Sequence, residues 1–352
     1  MDLQDIAEQA VDADSVHRSP EMVPGRVLVI DGDVLSYKAC DLEYSFGSNV
    51  EELKEMISIW TSLSGAEFCD VHLTLGDKGG REQIARVKKY QGNREVKDPD
   101  KRERVHELRK WMAHYETEKV TPYPWFDQEA DDGMAQAMYT LGENGILMTV
   151  DKDLNMVPGL RISVENFEIY EQPKGYGSCR LESTPSGRKL RGSGTSWFWH
   201  QVLMGDKADN IPGLPMATRD IWLKYSPTKK FRELQQRLKS GRMPSGRVML
   251  AEQRRQNLQR FNEEYAKAKD KKVGEVLAHH ILETCRTDRQ AYQRCLEAYS
   301  AFYGENYTFY SHDNVLWADQ TAKDMLVEQA RLLWMRKKHG EDVLDWINEL
   351  ES

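Results

Sequence analysis

Nowhere along the 352 residues does an apolar run approach the roughly 20 residues that a bilayer-crossing helix needs. The acidic stretch Met1–Val23 has no apolar core of the signal-peptide kind, so a cytoplasmic protein with no membrane partner is expected. Cysteine is scarce. Cys40, Cys69, Cys179, Cys285 and Cys295 are odd in number and form no C-x-x-C pair, which argues against a disulfide framework or a thiolate metal site. The one histidine doublet, His279-His280, has no ligand-spaced partner nearby, so zinc is not expected either. Positive charge is short overall: the net charge is −8, which excludes coating of nucleic acid by bulk attraction but allows a local basic surface beside an acidic centre. What remains, 39% apolar and 30% charged, describes a polar globular chain able to hold one large domain or two ordinary ones.

Carboxylates are plentiful, and their placement is ordered. Gln128-Glu129-Ala130-Asp131-Asp132-Gly133 puts three acids within four positions at an expected helix start, more than an N-cap uses. The runs Arg26–Ile30, Val71–Leu75 and Gly145–Val150 read as buried parallel strands, and each ends in acid: Asp31, Asp77, and Asp151 with Asp153. In an open α/β sheet, strand ends share one ligand-binding edge. Asp206 and Asp209 add two acids three residues apart in Met204–Gly213. Nine carboxylates without histidine or cysteine select hard cations, Mg²⁺ or Mn²⁺. Their number suggests two ions, the usual arrangement for in-line attack on a phosphodiester.

Between the second strand and the acidic helix the local charge reverses. Lys78, Arg81, Arg86, Lys88, Lys89, Arg94, Lys97, Lys101, Arg102, Arg104, Arg109 and Lys110 are interleaved with Tyr90, Trp111 and Tyr115. Cations neutralise phosphates and aromatics stack on bases, although a solvated helix carrying i,i+4 ion pairs is the plainer alternative. Residues 160–195 read as β-ribbon and loop, with 186–196 a candidate flexible insertion. Beyond them the chain reads as helical, with Lys/Arg-rich helices near 229–242 and 247–272.

Asp31-Gly32-Asp33, Leu75–Gly79, Tyr90–Arg94, Glu129–Asp132, Thr149–Asp153 and Gly205–Gly213 stand in an order and spacing that resembles the bacteriophage 5′-nucleases of the flap endonuclease superfamily, over about residues 26–225. The resemblance implies a PIN-like α/β domain: a mostly parallel sheet flanked by helices, a helical arch, and a helix–three-turn–helix DNA-binding element extended by C-terminal helices. The implied layout is a mobile leader (1–24), a catalytic domain (25–195) with its basic arch at about 78–125, a helical DNA-binding region (196–340) and an acidic tail (341–352). Asp31, Asp77, Glu129, Asp131 and Asp132 would hold a first metal, and Asp151, Asp153, Asp206 and Asp209 a second. Arg94 would contact the scissile phosphate and Tyr90 would stack beside it. Lys78, Arg81, Arg86, Asn93, Lys97 and Arg102 would meet DNA. The family has lysine where this chain has Gln91, a neutral amide, so either Lys88 or Lys89 would supply that charge or activity would be reduced. After Gly213 the family's glycine-rich hairpin is shortened, which leaves a K⁺ site at that turn open.

The implied activity is a Mg²⁺-dependent 5′→3′ exonuclease and flap endonuclease. It would act as a monomer on DNA with a 5′ end, flap or nick, or on an RNA primer, in the host-cell cytoplasm. Asp132→Asn is expected to abolish cleavage and spare DNA binding. The tail, with Trp346 and Ile347, is a candidate dock for a replication protein, or simply a surface helix. A haloacid-dehalogenase-like phosphatase, using Asp31-x-Asp33 with Asp206 and Asp209, and a junction-binding protein without catalysis remain as alternatives.

Overall fold

The computed structural model describes residues 20–95, 98–185 and 187–352. Most of the expected leader, and Lys97, lie outside the described residues. A six-stranded sheet organises the first half, in the order β3 (Val120–Trp125), β2 (Phe68–Thr74), β1 (Val27–Asp31), β4 (Gly145–Met148), β5 (Gly159–Ile162), β6 (Ile169–Gln172). The first five strands run parallel, and β6 alone is antiparallel, on β5. This is the mostly parallel α/β architecture expected.

Both faces are covered, which is why β1 and β4 read as unbroken apolar runs. Leu28, Ile30, Ile146 and Met148 enter one core with the helices Gly32–Ala39, Phe46–Leu63 and Pro99–Met112. Val29 and Leu147 enter another, with the helix Ala130–Leu141 and the C-terminal helices. That second core continues through Phe198, Trp199, Val202, Tyr299 and Leu333, so packing is unbroken at 195/196.

The basic segment is anchored in the fold. Its helix Pro99–Met112 packs Val105, Leu108 and Met112 into the first core, and its end is strand β3. The β-ribbon reading of 160–195 gives β5–β6 and the hairpin of β7 (Cys179–Thr184) with β8 (Gly187–Gly192), so much of the expected flexible insertion is paired strand.

The acidic tail is no free dock. Ile347 is fully buried, and the Trp346 ring stacks on Trp334 with centroids 4.7 Å apart, so the apolar side of the helix Val343–Glu351 is used within the chain. Among the described residues no helix is long and apolar enough to cross a membrane.

Candidate metal centre

Strand order reverses between β1 and β4, and the crevice beyond their carboxyl ends is where such sheets bind ligands. Asp31 ends β1 and caps the following helix, its Oδ1 accepting from the amides of Asp33 (2.8 Å) and Val34 (3.1 Å). Gly32 makes that turn possible, since a Cβ there would lie 2.6 Å from Leu73 Cδ2 and 2.9 Å from the His72 carbonyl oxygen. Beyond β3, the amide of Ala130 donates to Thr74 Oγ1 (2.9 Å), which fixes Glu129 and Asp131 at the first turn of the acidic helix. After β4, Asp151 Oδ1 accepts from the Asp153 amide at 2.7 Å.

The last two acids come from the loop after the helix Gly194–Met204. Asp206 and Ile211 exchange both backbone hydrogen bonds (2.9 and 2.7 Å). Gly205 and Gly213 close the neck at positive φ (72° and 62°), so tightly that a Cβ on Gly213 would stand 2.3 Å from the Gly205 nitrogen. Carboxylate oxygens of Asp153, Asp206 and Asp209 lie within 4.8 Å of one another.

Electrostatics tie these acids into one pocket. Desolvation raises the Asp31 carboxyl to about 7, with Asp33 and Asp151 adding to the shift. Glu129 is raised to about 7, again chiefly by desolvation, against the pull of Arg81 and with help from Asp209. Asp131 is pushed far above the usual carboxylate range by desolvation and by Asp151, Asp31, Glu129 and Asp153. Asp151 and Asp153 are raised for the same reasons, with Asp206 among the charges acting on both. Seven of the nine expected acids therefore share this edge: Asp31, Glu129, Asp131, Asp151, Asp153, Asp206 and Asp209. An all-oxygen donor set of crowded carboxylates suits a hard divalent ion.

Two acids have other partners. Asp77 is exposed, and its Oδ1 accepts from the Gly80 amide at 2.6 Å, closing a turn. Asp132 is fully buried. Its Oδ2 accepts from Arg81 Nη1 (2.6 Å), and its Oδ1 accepts from Arg81 Nη2 and the Arg336 amide (both 3.1 Å). Both of its oxygens thus already accept from donors of the chain itself.

The basic residues divide as well. Arg94, with 57% of its side chain exposed, reaches Asp209 at 2.6 Å on the rim. Exposed Asn93 donates to the Lys207 carbonyl (2.6 Å), and Lys88 and Lys89 are exposed beside it. Lys78 pairs with Glu82 (3.2 Å), and Arg102 is exposed on the helix Pro99–Met112. Three differ from expectation. Arg81 is 1% exposed, so it cannot meet DNA. Arg86 is held by Glu328 (2.8 Å) and Gln320 (2.7 Å) over the Trp317 ring. Tyr90 is 4% exposed and donates its hydroxyl to Glu129 (3.0 Å), which leaves no ring face for a base.

Three residues that sequence reading did not weigh as ligand partners touch the acids. Lys152 bonds both Asp153 (3.2 Å) and Asp206. Buried Gln201 donates to Asp153 at 2.5 Å. Gln91, at positive φ, donates its side-chain amide to Asp209 (2.9 Å) and Glu129 (3.4 Å), so this amide bridges acids instead of reaching into solvent. Only the position of Lys152 between two site aspartates was a usable signal.

Close packing behind the acidic helix sets a further expectation. A Cβ on Gly133 would fall 2.1 Å from Trp125 Nε1 and 2.8 Å from His72 Nδ1. Gly133→Ala should therefore lower stability by about 1–3 kcal/mol, read from the denaturant midpoint, by forcing the helix off β2 and β3. An unchanged midpoint would mean that the helix does not rest on that pair.

No protein-family model matches this chain, and neither does any curated protein. Solved structures do. The bacteriophage T5 D15 protein co-crystallised with metal ions is 14% identical, with 88% of this chain and 100% of that one covered, at a TM-score of 0.39. A T5 D15 flap endonuclease in complex with DNA and metal ions is 14% identical over 88% of this chain and 99% of that one, also at 0.39. The T5 5′-exonuclease with zinc bound is 16% identical over 87% and 99%, again at 0.39.

Proposed function

We propose that this chain is a Mg²⁺-dependent 5′→3′ exonuclease and structure-specific flap endonuclease that hydrolyses DNA phosphodiesters with two ions, Mn²⁺ able to replace Mg²⁺. One observation carries the reading: carboxylate oxygens of Asp153, Asp206 and Asp209 lie within 4.8 Å of one another at the sheet edge where β1 and β4 end, with Arg94 on the rim. Asp31, Glu129 and Asp131 are the residues to hold one ion, and Asp151, Asp153, Asp206 and Asp209 the other. Bound there, divalent ions would lower the pKa of a water near the reacting phosphate and supply positive charge for the attacking and leaving oxygens.

The chain supplies position. Arg94 on the rim can turn its fork from Asp209 to a phosphate, where its planar donors pair two oxygens. Gln91 brings no charge, so Arg94 with the exposed Lys88 and Lys89 is the cationic partner of the reacting phosphate. The substrate is a 5′ end, flap or nick.

Incubation of a 5′-labelled duplex and a 5′ flap with Mg²⁺, Mn²⁺ or EDTA tests this. Short labelled products with either metal and none in EDTA are expected. Binding without cleavage would make the protein a junction binder. Phosphate release from a small monoester without nucleotide release would favour a phosphatase.

A further inference from the structure

Three cations of the helix Pro99–Met112 are turned into the fold. Lys101 Nζ stands 4.4 Å from the centroid of the Tyr37 ring, and Arg104 Nη1 donates to Asn49 Oδ1 (3.1 Å) and to the Tyr44 carbonyl (3.3 Å). Arg109 Nε lies 3.1 Å from Asp33 Oδ1, the two side chains being 31% and 19% exposed. That contact is a charge pair without hydrogen-bond alignment, and the buried nitrogen has no other acceptor among the described residues. Val105, Leu108 and Met112 hold the helix in the first core, so packing sets where the guanidinium stands.

On its other side Asp33 faces the end of β2. The Thr74 amide donates to both of its oxygens (3.3 and 3.4 Å). Burial raises the Asp33 carboxyl, and Arg109, then the hydroxyl and amide of Thr74, oppose that rise by favouring its charge. Alternation along β2 sends Val71 and Leu73 into the first core and leaves His72 and Thr74 on the face where the acidic helix lies. The Thr74 hydroxyl therefore stands between the Asp33 carboxylate and the Ala130 amide, which donates to it at 2.9 Å. A hydroxyl can accept one hydrogen bond while donating another. Glu129 and Asp131 flank that amide in the chain.

We infer that Arg109 and Asp33 are positioning residues for the metal centre: through the Thr74 hydroxyl they set the first turn of the acidic helix, and with it the placement of Glu129 and Asp131. The inference rests on the reading of the acidic pocket as a metal centre. Groups behind a ligand that fix its orientation are typically worth about 10–100-fold in metal affinity. Two other roles for Arg109 carry other signs. A bystander charge would repel a cation, so that its loss tightens metal binding. A contact to a DNA phosphate would leave metal binding alone and contribute about 1 to the salt slope of DNA binding.

Calorimetric titration of Mn²⁺ alone into the full chain separates these roles, with the parent compared with Arg109→Met, Arg109→Lys, Thr74→Val and Thr74→Ser. Mn²⁺ affinity should fall by about 10-fold in Arg109→Met and in Thr74→Val, and stay close to the parent in Arg109→Lys and Thr74→Ser, which keep the charge and the hydroxyl. The double variant Arg109→Met, Thr74→Val should lose little more than the larger single loss, because both act along one chain of contacts. Unchanged or tighter Mn²⁺ binding in Arg109→Met would overturn the inference, and so would losses that add in the double variant. Thr74→Val strands the Ala130 amide; should it fail to fold, Arg109→Met against Arg109→Lys decides alone. A parent that binds no Mn²⁺ would sink the metal-centre reading itself, whereas a parent that binds, matched by Arg109→Met, would sink only the positioning role.

Discussion

Asp131→Asn is expected to stabilise the metal-free protein at pH 8 and to lower cleavage by about 10³-fold or more. The two effects have one origin. Asp131 is surrounded by Asp151, Asp31, Glu129 and Asp153 in a poorly solvated pocket, and its carboxyl is pushed far above its ordinary range. Asparagine removes that repulsion and keeps the shape. It also removes an acid that would hold a cation, and losing about 4 kcal/mol of transition-state charge stabilisation corresponds to about a thousandfold in rate.

The sign with pH follows by linkage. Unfolded carboxyls titrate near 4, whereas folded Asp31 and Glu129 sit at about 7 and Asp131, Asp151 and Asp153 are raised. From about pH 4 upward the native state binds more protons than the unfolded state, so these groups take stability away as pH rises through their folded values. Buried His72 and His200, lowered to about 3 and about 4, act oppositely: they take stability away as pH falls below about 6.5. Comparing parent with Asp131→Asn cancels the histidines. Denaturant unfolding in EDTA at pH 6, 7 and 8 should show the variant gaining on the parent at each step, by up to about 1.4 kcal/mol per unit for one proton. Adding Mg²⁺ should erase the gap, because the ion neutralises what the protons had. A parent that gains on the variant as pH rises in EDTA would mean that these acids do not crowd one another.

Why these acids could be found in sequence, and the rest could not, comes down to local against distant causes. β1 and β4 are buried on both faces, so their side chains are apolar whichever way they point, and each run stops where the chain turns at an acid. β3 hid behind Pro122 and Pro124, which a central strand excludes. Among the described residues it is the sheet's edge and pairs with β2 alone, so prolines are tolerated there. Asp77 shows the limit of the strand-end rule, since an acid at a strand end can serve a turn as well as a ligand. Tyr90, Arg81 and Arg86 look like surface residues of a basic stretch, but their partners Glu129, Asp132 and Glu328 lie 39, 51 and 242 residues away. No periodicity encodes such pairs. Gln91 is the instructive case: compared by position with a lysine it looked like a deficit, and its geometry makes it a hydrogen-bonding bridge between Asp209 and Glu129.

Arg81→Met should destabilise the protein by about 3–5 kcal/mol, because it strands the buried Asp132 carboxylate with a single backbone donor, the Arg336 amide. The guanidinium also donates to the carbonyls of Leu332 (3.2 Å) and Trp334 (3.1 Å) and pairs with Glu129 (3.2 Å). It thus fastens the C-terminal segment to the base of the acidic helix. The double variant Arg81→Met, Asp132→Leu removes both charges, and exchanging a buried pair for apolar side chains is often neutral or better. It should recover the share of the loss that comes from the stranded Asp132 carboxylate, while the Leu332 and Trp334 carbonyls and Glu129 stay without the guanidinium, and a double-mutant cycle in denaturant would read that share as coupling.

The same double variant decides what Asp132 is for. As counterion to Arg81, it acts on the site only by holding Glu129 and Asp131 in place, and losing such outer support typically costs about 10–100-fold in activity. As a cation ligand in its own right, it would be as indispensable as Asp131, and the refolded double variant would be inactive. With both oxygens already occupied by Arg81 and Arg336, the expectation is a folded double variant that still cleaves, more slowly than the parent and faster than Asp131→Asn.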